Sequence, residues 1–316
     1  MKAIRKQLDQ GRKAQFSMLV KARKLNLPID IQCNLFEKLV FPILLYGCEI
    51  WGFTTIEMLE VFYKKFLKKL LHLRPSTPNC MVYGEVGKLP LQVTVDKHVI
   101  NYWLRLLAKE ESTLAHKMYM ISFNLFYRDE YKSKWLSRVK YILDNSGLSY
   151  MWDNQQLLNS KQCKTIIHKR MEDLALQKWF SDVSVSSLCI TYRLFKKQLN
   201  FEEYLLSPSF RNRLCLTKFR CGNSRIPVYN QIYMYDTNLC TLCNINAIGD
   251  EFHYLFICSY FMHSRQLYLK PYFYNQPNQI KLKYLFCSSS KATMSNLANL
   301  FMSLRIISKL ASICYI

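Results

Sequence analysis

Residues 54–71 read TTIEMLEVFYKKFLKKLL, and their periodicity decides the fold class. Ile56, Leu59, Tyr63, Phe66 and Leu70 recur at three- and four-residue intervals, the spacing that lines one face of an α-helix. Lys64, Lys65, Lys68 and Lys69 fall between them, so the helix is amphipathic with a basic face. Thr54 followed three residues later by Glu57 is a capping-box pattern, in which each side chain satisfies a free backbone N–H at the helix start. Arg74-Pro75 marks the stop, because the residue before a proline is pushed out of the helical region.

The same rhythm, followed outward, predicts helices near Lys2 to Lys24, Ile31 to Val40, Thr94 to Lys109 and Lys132 to Leu143. Further ones are expected near Lys161 to Phe180, Ser207 to Cys221 and Ser259 to Tyr268. Strand-like alternation is scarce, so the expected class is all-α. Turn-rich stretches at Pro75 to Asn79, Asp144 to Gly147 and Asp153 to Ser160 interrupt the pattern. The apolar tail Asn296 to Ile316 is broken by Arg305 and Lys309, which argues for a helix docked on a core and against a membrane span.

Half of the 316 residues are apolar and only 8 are Gly and 9 Pro, a composition that folds. Lys and Arg total 44 against 22 Asp and Glu, and the net charge of +22 favours polyanionic partners such as nucleic acid or an anionic membrane surface. Residues 1–75 carry 14 basic and 6 acidic groups, and residues 160–225 carry 13 and 5. Twelve unevenly spaced Cys, and no signal-peptide pattern in MKAIRKQLDQGRK, point to a reducing compartment, nuclear or cytoplasmic.

The most specific chemistry lies in Cys240-Thr241-Leu242-Cys243, with His253 after nine residues and Cys258 after four more. Two Cys separated by two residues reach one ion from a single turn, and a closed Cys/His set of four is what structural zinc takes. The alternative is that four buried side chains, drawn from twelve Cys and six His, fell into this spacing. Cys215, Cys221 and His263 flank the set as substitute ligands. On a regular helix His253 and Cys258 would stand about 140° apart, so the chain is expected to bend between them. Three thiolates and a neutral His around Zn²⁺ leave one negative charge, which phosphates avoid. Candidate nucleic-acid contacts are therefore Arg211, Arg213, Lys218, Arg220 and Arg225 before the knuckle and Arg265 and Lys270 after it, with a merely solvated basic face as the alternative. Trp51, Tyr102, Trp103, Trp135 and Trp179 offer rings for base stacking, although helical spacing assigns such rings to the core.

KARKLNLPIDIQCNLFEKLVFPILLYGCEIWG (21–52), STPNCMVYGEVGKLPL (76–91), LTKFRCGNSRIPV (216–228) and CTLCNINAIGDEFHYLFICSYFMHSR (240–265) resemble the C-terminal part of non-LTR, LINE-type retrotransposon reverse transcriptases. The first block looks like the thumb that follows the polymerase palm, the last like that family's zinc-binding segment. The resemblance implies a thumb-like region over 1–75, a helical connector over 76–206 and a zinc-binding domain over 207–316, with Cys240, Cys243, His253 and Cys258 as ligands. It implies RNA or DNA, and the rest of a polymerase, as partners. Ser259 departs from the family, whose members often carry Pro there. No Asp-Asp pair occurs in the chain, and Tyr233-Met234-Tyr235-Asp236 continues with Thr237, so the carboxylates that hold catalytic Mg²⁺ in such polymerases are missing. The thumb-like block begins by about residue 21, leaving no room ahead of it for a palm. The expected function is a nucleic-acid-binding fragment without its own catalysis. A zinc-stapled protein-interaction scaffold is the alternative, and a metal-dependent hydrolase is disfavoured by the closed ligand set.

Overall fold

The computed structural model describes residues 2–53, 56–155, 159–207, 209–222, 239–240, 242–288 and 290–314, with the backbone alone for 2–3 and 305–314. The fold is all-α: among the described residues the only β pairing is two isolated bridges, Val86 with Phe201 and Leu239 with Ile248. The chain opens with α1 (Lys2–Lys24), α2 (Ile29–Leu35), α3 (Phe41–Leu44), α4 (Cys48–Trp51), α5 (Glu57–Leu70) and α6 (Asn79–Val86). There follow α7 (Leu91–Leu107), α8 (Leu114–Tyr127), α9 (Lys134–Asn145), α10 (Ser149–Asn154) and α11 (Ser160–Val185). The last stretch holds α12 (Tyr192–Phe195), α13 (Phe210–Arg220), α14 (Met262–Tyr268), α15 (Pro271–Tyr274), α16 (Gln279–Phe286) and α17 (Lys291–Cys314). Thr54, the expected cap of α5, lies outside the described residues.

Two compact units emerge, and they do not follow the segments 1–75, 76–206 and 207–316. One unit comprises Met1–Leu27, Gln32–Tyr63 and Leu89–Lys178, the other Pro28–Ile31, Lys64–Lys88 and Trp179–Ile316. The expected divisions at 75/76 and 206/207 both fall inside the second unit. The reason is pairing between distant segments, which local periodicity does not encode.

In the first unit, a Cβ on Gly11 would sit 2.5 Å from Leu44 Cδ2, so α1 lies directly on α3. Gly52 is as tightly placed, since its Cβ would come within 2.4 Å of the Cys48 carbonyl and 2.7 Å of Val95, which seats α4 on α7. Phe36, fully buried in a π-helical turn, stacks on Tyr63 at 5.6 Å between ring centres. A larger core joins α7 to α11 around Trp103 and Trp152. Trp103 Nε1 donates to Tyr119 Oη at 2.8 Å, and that hydroxyl donates to Gln155 Oε1 at 2.5 Å, so the polar tips of buried rings are satisfied. Arg138 clamps Asp96 through Nε and Nη2 at 2.7 to 3.0 Å.

The second unit is centred on α6, whose residues Met81 to Val86 are all buried. Gly84 leaves no room for a side chain, because a Cβ there would lie 2.3 Å from Tyr192 Oη. Glu85, wholly buried, faces Arg220 at 3.0 Å, and Arg220 Nη2 reaches Glu202 Oε2 at 2.9 Å. Lys196 pairs with the same Glu202, so two carboxylates and two cations close a neutral buried network. The rings of Phe219 and Phe301 stack at 3.7 Å, pinning α17 to α13. Leu297, Leu300 and Leu304 bury beside it, so the part of the apolar tail up to Leu304 docks on a core as expected, while the side chains beyond it lie outside the described residues. No helix among the described residues is long and apolar enough to cross a membrane.

Candidate metal centre

The knuckle is built from one turn and one helical irregularity. Cys240 N–H donates to the Ala247 carbonyl at 2.8 Å beside the Leu239–Ile248 bridge, which returns the chain at 247 to the side of Cys240. Asn246 takes the left-handed conformation at φ 52°, one that Asn tolerates better than most residues. This return brings Cys240 and Cys243 to one side. The other two groups come from a π-helical turn, His253–Ile257, opened by Asp250, whose carboxylate accepts the His253 N–H at 2.8 Å.

The π turn corrects the expectation drawn from regular helix geometry. Its hydrogen bond from Cys258 N–H to the His253 carbonyl, 2.8 Å, spans five residues and sets residues five apart on one side. Cys258 then leaves the helix at φ −51° and ψ 117°, which is the expected bend, just ahead of the helical turn that starts at Ser259.

The ligand atoms of Cys240, Cys243, His253 and Cys258 all lie within 4.8 Å of one another. Cys240 Sγ and Cys258 Sγ are 3.9 Å apart, and Cys243 Sγ and His253 Nε2 are 3.3 Å apart. A tetrahedral ion with metal–sulfur bonds of ~2.3 Å and a metal–nitrogen bond of ~2.0 Å requires sulfur–sulfur edges of ~3.8 Å and a sulfur–nitrogen edge of ~3.5 Å, so both pairs are close to the edges of such a tetrahedron. This Cys₃His group could hold a metal ion. Cys240, His253 and Cys258 are buried and Cys243 half-buried. None of the three flanking residues is in the cluster: Cys215 is half-buried on α13, Cys221 is buried at its end and His263 is exposed.

The surroundings prepare the donors unequally. Burial lowers the pKa of His253, helped by the charge of Arg265 and opposed by Asp250, and so favours the neutral imidazole that metal binding requires. Burial pushes the Cys258 thiol up to about 12, with the neighbouring thiols adding to it. For Cys243 burial acts upward too, but hydrogen bonds from the Ile245 backbone, Cys240 and Cys258 together bring it below the usual thiol value. Arg265 is 1 % exposed, and its guanidinium donates to the Cys258 carbonyl. Its positive charge lies beside the cluster and would offset the negative charge that three thiolates around a divalent ion would leave over.

That placement removes Arg265 from the nucleic-acid contacts expected of it. Arg220 is removed for the same reason: it is 3 % exposed, held by Glu85 and Glu202, and lies 4.6 Å over the Phe195 ring. Sequence shows charge but not its depth. Arg211 is exposed, Lys218 is half-buried, and Arg213 is half-buried with its guanidinium on the Ser207 carbonyl and 5.9 Å over Phe210. Arg225 lies outside the described residues. Charge pattern alone missed Glu85, Glu202 and Lys196, although STPNCMVYGEVGKLPL and LTKFRCGNSRIPV meet through the Glu85–Arg220 pair. Compared with known proteins, the chain matches no family model, no curated protein and no solved structure.

Proposed function

We propose that this chain is a nucleic-acid-binding region of the kind that follows the palm in LINE-type reverse transcriptases, stapled by one structural Zn²⁺ and without polymerase chemistry of its own. The observation that carries the reading is the closed Cys₃His group, joined to a net charge of +22. Three sulfurs and one imidazole at tetrahedral spacing suit Zn²⁺ better than Mg²⁺ or Ca²⁺, which take oxygen. Four protein donors leave no position for a reactive water, so the ion holds the chain and does not act on a substrate.

With Arg220 and Arg265 buried, the phosphate contacts are assigned to exposed cations elsewhere. Arg5, Lys6, Lys13, Lys21, Arg23 and Lys24 are all exposed on α1, where Asp9 is the one acid and is paired with Arg12 at 2.6 Å. Lys65 and Lys69 are exposed on α5. Binding should be tolerant of sequence and fall steeply with salt, because released counterions supply the driving force. Fluorescence anisotropy of labelled RNA and DNA against 1–316 over a salt series tests this. A linear fall of log affinity with log salt supports it, whereas no binding at low salt leaves the protein-interaction scaffold.

A further inference from the structure

We infer that an open groove in the first unit, where the chain enters α9 beside α4 and α7, binds single-stranded nucleic acid by stacking bases on its rings. The inference rests on the nucleic-acid reading above and assigns it a second, chemically distinct site. The groove has a volume of about 510 Å³, within the range of roughly 300–1,000 Å³ typical of ligand clefts. Phe53, Tyr102, Tyr131 and Trp135 line it together with Lys132 and Lys134, and no acidic side chain is among its described lining residues. Of the aromatic residues named from sequence, Trp103 is wholly buried and Trp179 nearly so, whereas Tyr102 and Trp135 face this groove.

The rings are held in place. Trp135 Nε1 donates to the Glu49 carbonyl at 2.8 Å, and its ring meets Tyr102 edge-on, 5.7 Å between centres at 78°. Arg105, which is not among the lining residues, sits 5.5 Å over the Tyr102 ring. Tyr131 is 48 % exposed and available to a ligand. Rings alone would suit an apolar or proline-rich peptide, and lysines alone any polyanion. Both together fit a partner with flat π faces joined by phosphates. A duplex hides those faces in its own stack, so the partner is single-stranded.

Labelled oligo(U) and oligo(dT), and a duplex of equal length, would be titrated with 1–316 and its Tyr131→Ala, Trp135→Phe and Lys132→Gln/Lys134→Gln variants, each checked for folding by circular dichroism. Tyr131→Ala should weaken single-strand binding about tenfold, the loss of one stacked base, and leave the duplex unaffected. Trp135→Phe, which keeps a stacking ring, should retain most of the affinity. The double lysine variant should flatten the salt slope by about 1.4, two contacts at ~0.7 each. Single-strand affinity unchanged in both Tyr131→Ala and the double variant would reject the groove while leaving the nucleic-acid reading standing. Equal weakening for the duplex would reject stacking. No binding of any nucleic acid by the unmodified chain at low salt would reject both.

Discussion

At the scale of single residues, the buried charges divide sharply from the exposed ones, and stability depends on the buried set. Glu85 neutralises Arg220 in a site where neither reaches solvent. Glu85→Ala leaves Arg220 with Glu202 alone, and the expected cost is about 3–5 kcal/mol, the penalty of a buried pair losing one partner. Replacing both Glu85 and Arg220 by Met should cost less than the single change, and urea denaturation of the two variants checks the order. His168, hydrogen-bonded to Asn101 at 3.0 Å, has its pKa brought down from 6.5 to about 4 by burial first and by Lys97 and Lys164 next. Between those two values the unfolded chain binds a proton that the folded chain refuses, so stability falls as pH is lowered through the window. In His168→Gln that part of the pH dependence should vanish, measured as unfolding midpoints from pH 7 to 4. The grouping of Cys240, Cys243, His253 and Cys258 was legible in the sequence, because their spacing limits which Cys and His side chains can meet at one point. The burial of Arg220 and Arg265 was not, because a charged residue reads the same in a core as on a surface.

At the scale of elements, helix existence followed from periodicity, and the deviations from regular helix came from what the chain packs against. α5 runs Glu57–Leu70 where the apolar spacing placed it, and α1 spans Lys2–Lys24 as read. α6 escaped notice because a helix buried all round has no polar face and hence no amphipathic period. α8 was missed although Thr113 caps it, accepting the His116 N–H at 3.4 Å, because its exposed face carries Leu114, Met118 and Ile121 in place of charges. The π turn at His253–Ile257 is a further departure, and it sets His253 and Cys258 side by side. If a metal holds this short segment, removing it should loosen 239–260 and leave distant helices intact. Elemental analysis is expected to find one Zn²⁺ per chain, and near-complete loss in Cys243→Ser and in His253→Ala. Hydrogen exchange should then speed up over 239–260 with α7 and α9 still protected. Full zinc retention in either variant would mean that another group is the true ligand.

At the scale of the whole molecule, two units interleave along the chain, so chain segments are a poor guide to what folds with what. Purified 1–316 should not extend a primer in the presence of Mg²⁺, because phosphoryl transfer needs clustered carboxylates and the sequence holds no Asp-Asp pair. Measurable nucleotide incorporation would overturn this. By itself the sequence determined the helical class, the Cys₃His grouping that could hold a metal and the strong positive charge, since each depends on composition or on spacing within one local segment. Only the tertiary structure decided that α6 belongs with residues 179–316, that Arg220 and Arg265 serve the interior, and that Tyr102 and Trp135 line a groove with lysines. Those outcomes depend on contacts between segments far apart in the chain, as with Glu85 and Arg220, and no local pattern carries the free energy of such a contact.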